Sequence, residues 1–223
     1  MRRAHGKAIN EGRHVIIIVT LMKFTVPVIG ILRGVDEAFF PDLMATAFDA
    51  GLQAMEVTMN TAGAERIVQK CVSRVPEGRY LGMGTVRNIE EARRAVDAGA
   101  AFIVTPNTDP GVIEYARGRD VPVIAGAFSP TEVYTAWMSG ATMVKVFPCG
   151  LLGPSYIREL RGPYDEIDLV AVGGVTLGNL REYFDAGARA VGASSDLFGK
   201  ASLAEKDLEK IAEHVRRFVE ACP

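Results

Sequence analysis

The chain has 223 residues, a formal net charge of −2 and a hydrophobic content of 48%, which suits one large domain with a full core. A sequence pI near 6.0 gives no basic field for nucleic acid, and no apolar run approaches membrane-spanning length, so small molecules are the expected partners. Three cysteines, Cys71, Cys149 and Cys222, form no C-x-x-C pair and no even-numbered framework, which suits a reducing cytoplasm.

The first 26 residues read as an extension. A basic start and the apolar run Val15–Met22 look like a short signal sequence, yet the run is brief, Lys23 follows, and no small-residue cleavage site appears. Met22-Lys-Phe-Thr-Val-Pro27 reads as a natural start before the first strand, so residues 1–21 are expected to be an upstream-start artefact. The domain proper is expected over residues 27–223.

From residue 27 short apolar runs alternate with amphipathic ones, the pattern of βαβ units. The strands are expected at Val28–Leu32, Ala54–Thr58, Tyr80–Gly84, Phe102–Thr105, Val121–Ala125, Met143–Phe147, Leu169–Val172 and Ala190–Ala193. Eight such units predict an α/β fold of the (β/α)8 TIM-barrel type in a single domain. Asp49-Ala-Gly51, Asp97-Ala-Gly99, Met138-Ser-Gly140 and Asp185-Ala-Gly187 are expected to end helices, because glycine accepts the left-handed conformation that closes them. Ala204–Ala221 reads as one last helix with Leu208, Ile211, Val215 and Phe218 on one side.

Histidines are absent from the expected barrel: His5 and His14 lie in the extension and His214 in the last helix. A Ser-His-Asp relay, a histidine-rich zinc site and a histidine acid/base are thereby disfavoured. Proton transfer falls to carboxylates, lysine, tyrosine or water, with no metal expected.

Lys145 stands in the middle of the apolar strand Met143-Val-Lys-Val-Phe147. Burial favours the neutral amine, which is a nucleophile; the bland reading is a lysine that snorkels or pairs with a carboxylate. Glu56 interrupts the second strand and shares its parity with Thr58, so it is either an acid/base partner of Lys145 or a structural counter-ion. Arg33 ends the first strand, where it could hold a carboxylate or phosphate or form a rim salt bridge. Thr85 follows Gly82-Met-Gly84, whose backbone would let a ligand approach closely. Thr105-Pro106-Asn107 closes the fourth strand, and Ser129 and Thr131 read as caps of the following helix. Gly173-Gly174 and Gly192-Ala-Ser-Ser195 follow the last two strands, where barrels commonly bind phosphate. Cys149 reads as a buried filler rather than a reactive thiol.

The ordered motifs Ile31-Leu-Arg-Gly34, Glu56-Val-Thr58, Gly82-Met-Gly-Thr-Val86, Thr131-Glu132, Lys145-Val-Phe-Pro148, Gly153-Pro154, Gly173-Gly174 and Ser195-Asp-Leu197 resemble the class I aldolases that cleave 2-keto-3-deoxy-6-phospho sugar acids (the KDPG/KHG aldolase family). The resemblance runs from Pro27 to about Phe198. It implies that Lys145 forms the Schiff base and Glu56 shuttles protons. It implies that Arg33, Asn60, Thr85, Pro106, Phe147 and Val172 contact substrate, and that Gly173, Gly174 and Ser195 hold phosphate. It further implies pyruvate and a phosphorylated 2-keto acid as ligands, no cofactor, and a homotrimer.

Asn60 stands where the phosphogluconate branch usually has arginine, and Ala171-Val-Gly-Gly174 replaces P-T-G-G. Both changes are similar to the branch acting on the C4 epimer, 2-dehydro-3-deoxy-6-phosphogalactonate. Ser194, where the family usually has glycine, is a further departure. Activity on the gluconate epimer or on 4-hydroxy-2-oxoglutarate remains an alternative, as do a phosphosugar isomerase and a non-catalytic sugar-phosphate binding protein on the same barrel.

Overall fold

Each strand turns alternate side chains to opposite faces, and in this chain both faces are apolar, which requires a sheet covered on both sides. The computed structural model describes residues 25–223; the extension expected before the barrel lies outside the described residues, apart from Thr25 and Val26. The strands are β1 (Val28–Leu32), β2 (Ala54–Thr58), β3 (Tyr80–Gly84), β4 (Ile103–Val104), β5 (Val123–Ala127), β6 (Met143–Val146), β7 (Leu169–Val172) and β8 (Ala190–Ala193). They are parallel and close into a barrel in chain order, β8 pairing back to β1.

The helices among the described residues are α1 (Phe40–Asp49), α2 (Ala64–Cys71), α3 (Ile89–Asp97), α4 (Pro110–Arg117), α5 (Pro130–Met138), α6 (Gly153–Arg161), α7 (Leu180–Asp185), α8 (Ser195–Phe198), α9 (Lys200–Glu205) and α10 (Leu208–Glu220). Outward strand residues such as Met55, Val57, Val144 and Val146 join Leu43, Ile67, Ile157 and Phe218 of the helices in one core. Inward residues such as Ile29, Ala54, Phe102, Ile124, Met143 and Val170 form a second. The same parity sends Glu56 and Lys145 inward.

Five strands have the expected bounds. β5 starts two residues later than expected, because Pro122 has no N–H to give the ladder, although its carbonyl accepts from Ile103 N–H at 2.9 Å. It also runs on through Gly126 and Ala127, which pair with Lys145 and Val146. β4 and β6 are shorter than expected. The single last helix is corrected to two, α9 and α10. Lys206 breaks it with φ 56, and the Asp207 carboxylate accepts from Lys210 N–H, capping α10.

The four expected glycine stops hold: Gly51, Gly99, Gly140 and Gly187 all have positive φ. After each, the next N–H bonds back to a carbonyl five residues earlier, as Leu52 does to Ala47 at 3.0 Å, which satisfies a helix-end acceptor. Asp120 does the same work after α4 with φ 57, and Val121 N–H bonds to the Ala116 carbonyl at 3.0 Å. A side chain in the left-handed region is strained and Asp120 is exposed, so Asp120→Gly should stabilise the fold by about 0.5–1 kcal/mol. Urea unfolding checks this.

Candidate active site

A cavity of about 330 Å³ opens at the C-terminal ends of the strands, the face where barrels carry their chemistry. Lys145 from β6 and Glu56 from β2 enter it from the inward face, together with Arg33 after β1 and Thr85 after β3. Pro106, Phe147, Val172, Gly173, Gly174 and Ser195 complete most of its wall.

Room for Glu56 comes from a missing side chain. A Cβ at Gly84 would lie 2.5 Å from Glu56 Oε2 and closer still to the carboxyl carbon. One at Gly82 would lie 2.6 Å from the Phe102 ring. The expectation that these glycines admit a ligand is therefore corrected, since the protein's own ring and carboxylate fill the space.

Glu56 is 1% exposed, and its Oε2 has no hydrogen-bond partner among the described residues. Burial pushes its pKa up to about 7, against the opposing pull of the positive charges of Lys145 and Arg33. Lys145 is 6% exposed. Burial lowers its pKa from the ordinary lysine value; the Glu56 charge opposes that and the Arg33 charge adds to it. Its Nζ lies 4.8 Å from the centre of the Phe147 ring. Near neutrality, then, both protonation states of the carboxyl group are accessible, and the amine is held toward its neutral, nucleophilic form.

Arg33 Nη2 donates to the Thr85 hydroxyl at 3.5 Å. Thr85 has φ 56, a conformation that costs a β-branched residue about 1–3 kcal/mol and persists only where the surroundings impose it. Those surroundings are visible two residues on. The Arg87 N–H and guanidinium both bond the buried Glu91 carboxylate, and Glu91 N–H bonds the Asn88 side chain. Opposite, Gly173 and Gly174 have φ 91 and 78. Asn179 ties that loop down, donating to the Gly174 carbonyl at 2.9 Å and accepting from Thr176 N–H at 2.8 Å.

Of the residues expected at the site, Asn60 alone does not line the cavity. It is exposed at the third position of the turn Thr58–Thr61, closed by Thr61 N–H on the Thr58 carbonyl at 2.8 Å. Ser129 caps α5 in a reciprocal capping box with Glu132, as expected of a structural serine. Cys149 is buried, and burial pushes its thiol pKa up, which fits a filler. Ser194 and Asp196 also line the cavity. Ser194 stands between β8 and α8 and Asp196 in the first turn of α8, positions within and next to the Gly192–Ser195 stretch that is the signal for both in the sequence.

A barrel with a buried lysine and a buried carboxylate at its mouth has the groups needed to condense with a carbonyl compound and move protons around the adduct. The family model for the KDPG and KHG aldolases matches residues 18–214, and the chain belongs to that family of aldolases. The 2-dehydro-3-deoxy-6-phosphogalactonate aldolase of Escherichia coli strain K12 is 35% identical over 198 residues, covering 87% of this chain and 96% of the relative. The 2-dehydro-3-deoxy-phosphogluconate aldolase of Treponema pallidum strain Nichols is 37% identical over 163 residues, covering 71% of this chain and 74% of the relative. A solved structure described as native KDPGal is 34% identical, covers 89% of this chain and 95% of its own, and superposes with a TM-score of 0.84.

Two outcomes follow for Glu56. Gly84→Ala should displace its carboxylate and lower kcat roughly 100-fold or more, in the range of losing a positioned acid/base group; steady-state kinetics beside a thermal melt separates this from unfolding. Because its pKa is raised to about 7, kcat/KM should fall as pH rises through 7 and the acid form, which supplies the first proton, is lost. Glu56→Gln should abolish that limb in the pH–rate profile.

Proposed function

We propose that this chain is a Schiff-base aldolase that cleaves 2-dehydro-3-deoxy-6-phosphogalactonate to pyruvate and D-glyceraldehyde 3-phosphate. The observation that carries the reading is Lys145, buried and pushed toward the neutral amine, in one cavity with the buried Glu56.

Neutral Lys145 attacks the C2 carbonyl carbon of the substrate, and the carbinolamine loses its hydroxyl as water, with Glu56 supplying the proton. The resulting protonated imine draws the C3–C4 bonding pair into an enamine as that bond breaks. Glu56, now a carboxylate, takes the C4 hydroxyl proton and the aldehyde leaves. The enamine is then protonated at C3 by Glu56, and water hydrolyses the imine to pyruvate and free Lys145. Arg33 and Thr85 are the groups we assign to the carboxylate, with Pro106, Phe147 and Val172 walling the chain of the substrate. Gly173, Gly174 and Ser195 are assigned to the phosphate. Asn60 is exposed on the turn after β2 and lies outside the cavity lining, so any contact it makes is at the mouth.

The galactonate epimer is favoured by the Escherichia coli relative, whose similarity extends over more of both chains than that of the gluconate-cleaving relative. Ala171-Val-Gly-Gly174 adds to that choice. The gluconate epimer is the second reading, on the 37% identity of the Treponema pallidum relative.

We further propose a homotrimer located in the cytoplasm. Phe128, Tyr134, Met138, Leu151 and Leu152 are exposed large apolar side chains on two consecutive βα units, a concentration that favours association. The free cysteines Cys71, Cys149 and Cys222 suit a reducing compartment.

Borohydride reduction in the presence of pyruvate, followed by peptide mass spectrometry, should place a reduced pyruvyl adduct on Lys145 in the wild type and none in Lys145→Ala. An adduct on another lysine, or none at all, would overturn the mechanism. With the two C4 epimers as substrates, kcat/KM should favour the galactonate by about tenfold or more, the discrimination that one misplaced hydroxyl can impose.

A further inference from the structure

The turn after β2 carries two hydroxyl groups that the chemistry above does not use. Thr58 is fully buried and Thr61 is 5% exposed, and their hydroxyl oxygens lie 3.0 Å apart. Thr61 Oγ1 also accepts a hydrogen bond from Gly34 N–H at 2.9 Å, reaching across to the segment that follows β1. Neither hydroxyl lines the cavity.

Gly34 directly follows Arg33 and has φ 68. The peptide between them is planar, so holding Gly34 N–H also fixes the Arg33 carbonyl and the last backbone torsion of Arg33. That torsion sets the direction from which the guanidinium leaves for the cavity and for Thr85. Other ties on this loop include ion pairs at the surface, Glu37 with Arg66 and Lys70 and Asp36 with Lys206, and the local bonds of Phe39 and Phe40 N–H to Asp36. Exposed pairs of this kind constrain little. The bond to Thr61 differs from these: it is part-buried, tying the exposed Gly34 N–H to a hydroxyl that is itself buried and held by Thr58.

We infer that Thr61 is a positioning residue that acts on substrate binding through Arg33, with Thr58 orienting the Thr61 hydroxyl. This rests on the reading of Arg33 as a substrate ligand, and it extends the site to a side chain that touches no substrate.

The test is a double-mutant cycle on purified full-length enzyme, with 2-dehydro-3-deoxy-6-phosphogalactonate as substrate and a thermal melt for every variant. Thr61→Val, which keeps the shape and removes the hydroxyl, should raise KM up to about tenfold, the size of one lost hydrogen bond, and change kcat little. Thr61→Ser should restore KM. In an Arg33→Met background, Thr61→Val should add nothing. Thr58→Val is the second variant, expected to give a smaller rise in KM that also vanishes in Arg33→Met, and it decides the matter if Thr61→Val does not fold. Multiplicative effects with Arg33→Met, or a wild-type KM in both threonine variants, would overturn the inference while leaving Arg33 as a ligand. An Arg33→Met enzyme with unchanged KM would instead remove the role of Arg33, and this inference with it.

Discussion

Two ionisable side chains, Glu56 and Lys145, share the interior of the barrel, and among the described residues neither forms a close ion pair. Taking a carboxylate and an ammonium out of water costs several kcal/mol each, and that cost is recovered only by close, well-bonded pairing. Here the Glu56 Oε2 has no hydrogen-bond partner among the described residues. The result is a raised carboxyl pKa and a lowered amine pKa in one cavity, so each group is easily moved between its two protonation states. A tight ion pair at the same place would hold Lys145 charged and unreactive. Arg33 biases the pair further, since its fixed charge favours the Glu56 carboxylate and disfavours the Lys145 ammonium.

Such a pair survives because the rest of the barrel is apolar and fixed around it. The inner cluster beneath it, including Ala54 and Met143 on the same strands, seals the bottom of the cavity. Gly84 leaves the volume that the Glu56 carboxylate occupies. The rim is held by polar contacts that line no cavity: Arg87 and Asn88 on Glu91, Asn179 across the Gly173–Gly174 loop, and Thr61 on the Arg33–Gly34 peptide. Substrate-facing groups on loops thus take their aim from neighbours one step removed.

The barrel was legible because its signals are local. Apolar runs of strand length and glycine stops after helices are written in a few adjacent residues, and the parity of Lys145 and Glu56 follows from the pleat. Where local signals compete, the reading slipped. Pro122 sits in an apolar run yet cannot donate to a ladder, and Lys206 takes a conformation that its residue type does not announce. Asn60 shows the limit for the site. The resemblance implies that it contacts substrate, and its exposed place on the Thr58–Thr61 turn, outside the cavity lining, is a matter of hydrogen bonds that no motif spells out. The work of Gly84 was hidden for a related reason, because it lies in what stands opposite Glu56 across the β2–β3 pair.

The account depends on the state of one nitrogen. Heteronuclear NMR titration of Lys145 Nζ, assigned by its loss in Lys145→Ala, measures that state without substrate or turnover. A midpoint clearly below the ordinary lysine value of 10.5, rising toward it in Glu56-intact enzyme once Arg33 is replaced by Met, is the predicted result. A midpoint at or above 10.5 would mean that Lys145 is held as an ammonium, and would contradict the nucleophilic role on which the mechanism rests.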